Sequence, residues 1–215
     1  MIERALRGLL DLLERARQPE RSRADEIADV RRRLAAQQRA ARRASDDERQ
    51  RARALETLRQ QMIETLAEPA SCASCERSCH TPSARVGTER ETVFAAERRR
   101  APAGFDGGAC CAAKTAGVFS DDELYVLALA GATAADYSAP PGPHAGCAFR
   151  DARGCSLAVQ RRPTLCLRYL CNELQSELQA SGRRHAARSV AHDLRLGFEA
   201  LVAERREREI DDLLQ

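Results

Sequence analysis

Nine cysteines carry the chemistry this chain is equipped for. The first group is Cys72-Ala73-Ser74-Cys75-Glu76-Arg77-Ser78-Cys79-His80, the second is the pair Cys110-Cys111, and the third is Cys147, Cys155, Cys166 and Cys171. A Cys-x-x-Cys turn lets two thiolates meet one metal at ~2.3 Å, because the backbone folds over between them. Cys147 and Cys155 flank Arg150-Asp151-Ala152-Arg153-Gly154, a polar turn with glycine. A small hairpin there is expected to set its two thiols side by side. Tetrahedral thiolate sites suit zinc and also iron–sulfur clusters. Nine thiols could fill two four-coordinate sites with one left over, or one cluster plus one zinc. All nine are therefore candidate ligands. His80 and His144 could substitute, although each alone reads more simply as a surface residue.

The redox setting favours metal over disulfides. Met1-Ile2-Glu3-Arg4 brings acid early and no long apolar run follows, so neither a secretory signal nor a membrane span is expected. The chain reads as cytoplasmic, where thiols stay reduced. An odd cysteine count also fits a closed disulfide framework poorly. Thiolates on a dication leave a negative site, and Arg150, Arg153, Arg161, Arg162 and Arg168 lie close in sequence to offset it. Plain surface arginine explains them equally well in a chain with a single lysine, Lys114. There is no Gly-rich nucleotide fingerprint, no Ser/His/Asp set and no clear general base among four histidines, so no hydrolytic mechanism is indicated.

The 215 residues are 43% hydrophobic and 31% charged, with a net charge of +3, aromatics at only 4% and no Trp. A base-stacking platform is not expected. A metal is expected to replace the core that an aromatic-poor segment cannot build.

The elements that would position the cysteines are helical. Leu6, Leu9, Leu10 and Leu13 share one face of a first helix, which Gln18-Pro19 breaks. Ile27, Val30, Leu34 and Ala41 mark a second. Ser45-Asp46-Asp47-Glu48 is a capping box that opens a third, striped by Leu55, Leu58, Met62 and Leu66. Ser120-Asp121-Asp122-Glu123 repeats that box, with Phe119 and Leu124 placed as its hydrophobic staple, and its helix stops near Gly131. Arg162-Pro163 opens another helix, which Gly182 interrupts. On an unbroken helix Cys166 and Cys171 would lie ~140° apart and could not share one tetrahedral ion. From Arg184, the stripe Ala187, Val190, Ala191, Leu194, Phe198, Leu201 and Val202 predicts a helix ~30 Å long, with residues 204–215 fraying or extending it. The N-terminal helices and this last helix are expected to pack together.

The ordered run Cys110-Cys111, Val118-Phe119-Ser120-Asp121-Asp122-Glu123, Gly146-Cys147-Ala148-Phe149, Gly154-Cys155-Ser156-Leu157, then Arg162-Pro163 with Cys166 and Cys171, resembles the bacterial zinc- or iron-chelating domain family. The resemblance covers residues 106–172 and implies metal binding through these cysteines. Some members of that family are similar to flagellin lysine methylation proteins, which implies an enzyme modifying a macromolecule as an alternative. The family carries a Cys-x-x-Cys just before its Cys-Cys pair. Here Cys72, Cys75 and Cys79 stand about 30 residues upstream, so residues 85–108 look like an insertion with a short helix over 91–100. Alternatively, Cys79-His80 is the counterpart of the pair.

The chain thus reads as mainly α. A helical bundle or coiled-coil arms (residues 1–68 and 173–215) flank an irregular Cys-rich metal-binding module with a short hairpin (residues 69–172). The expected cofactor is zinc or an iron–sulfur cluster. The expected function is a metal-stabilised module that meets a protein partner or a second copy through its helices; an iron–sulfur redox protein or metal-dependent enzyme is the alternative. Arg31-Arg32-Arg33, Arg42-Arg43 and Arg98-Arg99-Arg100 raise nucleic-acid binding, but acidic residues lie among or beside them, which favours a solvated helix face. A salt titration against random-sequence duplex DNA should accordingly show no salt-dependent binding; a steep salt slope would reverse that reading.

Overall fold

The computed structural model describes residues 22–66, 115–140, 147–151, 154–170 and 172–214. The expected helix at Leu6–Leu13, the Gln18-Pro19 break and the helix over 91–100 lie outside them. The described chain is mainly helical, with seven α-helices among the described residues: α1 Arg23–Ala41, α2 Asp46–Thr65, α3 Thr115–Val118, α4 Asp121–Leu129, α5 Thr164–Arg168, α6 Asn172–Ala180 and α7 Arg184–Leu214. Between α4 and α5 a two-residue antiparallel ladder pairs β1 Arg150–Asp151 with β2 Gly154–Cys155. Single 3-10 turns at Ala134–Asp136 and Val159–Arg161 complete the connections. No helix among the described residues is long and apolar enough to cross a membrane.

Local signals explain where the helices start and stop. Ser22 caps α1 by accepting from the Asp25 amide. Ser45 and Glu48 form the reciprocal box at α2. Gly131 and Gly182 close α4 and α6 with left-handed backbone, φ 75° and 70°. In each case the next residue's amide reaches five residues back, Ala132 to Leu127 and Arg183 to Leu178. That doubly bonded ending requires positive φ, which glycine adopts without penalty.

Two apolar clusters form the core. The first joins Ile27, Val30 and Leu34 of α1 to Phe119, to Leu124 and Leu127 of α4, and to Tyr137, Phe149 and Leu157. The second joins Leu55 and Met62 of α2 to Leu194 and Leu201 of α7, with Leu174 and Leu178 of α6 and Leu167 of α5. Beyond its acidic first turn, helix α4 buries Leu124, Tyr125, Val126 and Leu127 in succession and sits between the two clusters, sending Val126 to the second. The N-terminal helices therefore part company. Helix α2 makes its most extensive contact with α7, as expected, while α1 lies on α4 instead. Polar side chains explain the difference. Arg23, Arg31 and Gln38 of α1 donate to the carbonyls of Pro140, Arg150, Tyr137 and Ala132 at 2.6–2.8 Å. They satisfy carbonyls of a connection whose described regular structure is limited to a two-residue ladder and the two 3-10 turns.

Helix α7 runs for 31 residues, ~46 Å at 1.5 Å per residue, so the charged tail extends the helix. Gly197 lets it approach α2, since a β-carbon there would sit 3.2 Å from a Leu55 methyl. Near its end, Arg208 donates to Glu48 at 2.9 Å, and Tyr125 of α4 donates to the same carboxylate at 2.8 Å. The Arg205 guanidinium lies 4.3 Å over the Tyr125 ring. Burial of Glu48 opposes its charge, but hydrogen bonds from Arg208, the Ser45 amide and Tyr125 outweigh it and hold the carboxyl below the usual glutamate range. A lowered folded value stabilises the protein above the unfolded pKa, and that stabilisation is lost as pH falls through the folded one. Glu48→Gln should therefore lower the urea midpoint at neutral pH and flatten its decline in acid. Parallel denaturation curves across that pH range check this.

Candidate metal centre

Three of the nine candidate ligands are described: Cys147, Cys155 and Cys166. Cys72, Cys75, Cys79, Cys110, Cys111 and Cys171, with His80 and His144, lie outside the described residues. The three described thiols come from a turn, a strand and a helix, and none is in a disulfide. All three touch one body: Cys147 is a buried member of the first core cluster, and Cys155 and Cys166 are half-buried against it. Among the described residues, no group of three or more Cys, His, Asp or Glu side chains could hold a metal ion. A centre built on these thiols must take further ligands from the rest of the chain.

The hairpin forms, but its register differs from the expected one. Arg150 stands opposite Cys155, and Asp151 opposite Gly154. Cys147 precedes the ladder in a turn closed by the Arg150 amide on its carbonyl at 2.9 Å. The two thiols are therefore not cross-strand neighbours. The cause is Phe149, which the core draws inward. Its carbonyl takes both the amide and the hydroxyl of Ser156, at 2.8 and 2.9 Å, so Cys155 falls beside Arg150.

Cys147 has a built seat. Thr115, at the start of α3, is buried. Its hydroxyl accepts from the Ala148 amide at 2.7 Å and donates to Glu26 of α1. Burial pushes the Cys147 thiol up to about 11, against hydrogen bonds from the Phe149 amide and Thr115 and the charge of Arg150. Without a metal it is a neutral thiol at physiological pH; binding a cation there would displace its proton. Arg150 is buried and supplies positive charge near this sulfur. Two of the other arginines have structural work: Arg161 pairs with Asp136 at 3.1 Å, and Arg162 donates to the Leu157 carbonyl.

The metal was expected to stand in for a missing aromatic core, yet three of the chain's few rings meet here. Phe119, Tyr137 and Phe149 lie 5.2–5.8 Å apart between centroids, tilted or edge-on. Overall composition hid them because they come from three separated stretches.

Cys166 sits in α5, whose N-cap is Pro163 with no side-chain cap of its own. The cap comes from elsewhere. Glu123 was expected to reach back to the start of its own helix, but its two oxygens accept from the Thr164 and Leu165 amides at 2.8 and 2.9 Å. Ser120 still accepts from the Glu123 amide. Beneath it, fully buried Arg59 donates to the carbonyls of Gln160 and Arg162, at 2.8 and 2.7 Å, and to the Thr164 hydroxyl at 3.3 Å. Burial raises the Glu123 pKa, opposed by the two amides and the Arg59 charge; burial lowers that of Arg59, which stays protonated. Neither residue was singled out from the sequence as part of the site. One signal was present: Arg59 falls four residues after Leu55 and three before Met62, on the buried stripe where Leu58 had been placed. Leu58 is only half-buried.

Helix α5 ends at Arg168, Tyr169 is extended, and α6 starts at Asn172. Cys166 is thus not on an unbroken helix reaching position 171, and the angular objection to pairing it with Cys171 falls away.

Comparison with protein-family models, with curated proteins and with solved structures finds no match for the chain. The likeness to the metal-chelating family stands on the motifs of residues 106–172 alone.

Phe149→Ala should destabilise the protein by about 3–5 kcal/mol, the usual loss for a fully buried ring. Urea denaturation measures it; a change under about 1 kcal/mol would show that the aromatic cluster contributes little.

Proposed function

We propose that this chain is a metal-binding protein that holds zinc or an iron–sulfur cluster through thiolates from several segments, the metal stabilising a helical protein-interaction module. The observation that carries this reading is the placement of Cys147, Cys155 and Cys166, undisulfided, against one core cluster from three different elements. All three pack in or against the same apolar cluster, and none packs in the other. The donor set is chemically suited: several soft thiolates match zinc and iron–sulfur and match calcium or magnesium poorly. In sequence, Cys111 stands four residues before Thr115, whose hydroxyl bonds the residue after Cys147. Cys171 stands three residues after the end of α5. Both are thus tethered close to the described thiols in chain length. Bound, the metal would supply cross-linking between chain segments and, if it is a cluster, electron transfer.

The same ligands imply a reducing, cytoplasmic setting, since oxidation to disulfides would compete with metal. An interaction role for the helices is supported by the end of α7, where Ile210, Leu213 and Leu214 are exposed.

Protein purified without oxygen under reducing conditions should contain stoichiometric metal, brown with visible absorption if iron–sulfur and colourless if zinc. Cys147→Ser and Cys155→Ser should each lower the metal content and the thermal midpoint. A wild type that is metal-free yet cooperatively folded, or full metal content in both variants, sinks the assignment.

A further inference from the structure

Five hydrogen bonds from two other helices clamp residues 160–165. Helix α5 is a single turn and a half with no side-chain cap of its own. An isolated helix that short does not hold itself together in water. What fixes it is donated from two other helices: both oxygens of Glu123 in α4 bind its first two amides, and Arg59 in α2 binds the two carbonyls and the hydroxyl that lead into it. Both groups are buried, Glu123 at 5% exposure and Arg59 at 0%. Cys166 follows the second clamped amide by one residue.

We propose that Glu123, braced by Arg59, is a positioning residue for Cys166: it holds the first turn of α5 so that this thiol is presented toward the metal centre. The proposal rests on the metal-binding reading above for its purpose, but its geometry is independent of it. Glu123 touches no thiol among the described residues; it acts through the backbone. Outer partners that orient a ligand typically change metal affinity 10–100-fold when removed. A carboxylate suits the task because its two oxygens serve two parallel amides at the positive end of the helix. An amide side chain of the same size has one acceptor oxygen and can serve only one.

The test uses the full-length chain as wild type, Glu123→Gln and Cys166→Ser, with zinc and cobalt(II) as probes. Glu123→Gln should keep the helical circular dichroism and weaken zinc binding 10–100-fold. It should also reduce the sulfur-to-cobalt charge-transfer absorption toward that of Cys166→Ser. Affinity and absorption equal to wild type would overturn the proposal. A second readout needs no metal: per-cysteine alkylation of the apo protein, followed by mass spectrometry. Relative to Cys147, Cys166 should alkylate several-fold faster in Glu123→Gln than in wild type. A general loosening would raise both sites together, and an unchanged ratio overturns the positioning role. A wild type that binds neither metal sinks the metal-centre reading, while the alkylation ratio still decides the positioning. If Glu123→Gln does not fold, Arg59→Lys is measured the same way, since it keeps the charge and loses the fork that reaches both carbonyls.

Discussion

Glu123 and Arg59, two buried charged groups on different helices, both bond the stretch of residues 160–165. Arg59 is fully buried, and Glu123 is nearly so. A charge in such surroundings is tolerated only when its bonding capacity is filled. Here the first two amides of α5, which a helix start leaves open, take both Glu123 oxygens, and the carbonyls just before it take the Arg59 guanidinium, which also pairs with Glu56 at 3.3 Å. The two problems solve one another: a helix start without a side-chain cap of its own and two buried charged side chains that need polar partners. The segment that carries Cys166 thus depends on α2 and α4, far away in sequence.

Around that node the molecule divides into two apolar clusters with different work. The α2–α7 pairing, with α6 and Leu167, forms a helical core that owes nothing to the cysteines. The cluster of α1, α4 and the connection through Phe149 contains or touches every described thiol. Its aromatic triad gives that region rigidity before any metal is considered. The backbone groups of this irregular connection are satisfied by long polar side chains of α1, so a helix that looked like part of an N-terminal arm serves as a brace for the cysteine-bearing segment. A metal bound there would add cross-links to a seat already shaped.

Helix periodicity was legible because burial follows it. Ile27, Val30, Leu34 and Ala41 are buried as their spacing requires, and Leu194 and Leu201 behave the same way. Glycines at the ends of α4 and α6 were legible for a conformational reason. The hairpin between Cys147 and Cys155 could be placed from its polar turn, but not its register. Register depends on which side chain the core accepts, and Phe149 decided it.

The tetrapeptide Ser-Asp-Asp-Glu occurs twice, at residues 45–48 and 120–123, and shows where local chemistry stops. Both copies start a helix, because the serine hydroxyl bonds the amide three residues on whatever surrounds it. That much the amino-acid sequence by itself determined. The glutamates diverge. Glu48 bonds its own cap and gathers Tyr125 and Arg208, whereas Glu123 abandons its cap for the amides of α5. A glutamate side chain reaches only its immediate neighbourhood, and only the packing of distant segments decides what that neighbourhood contains.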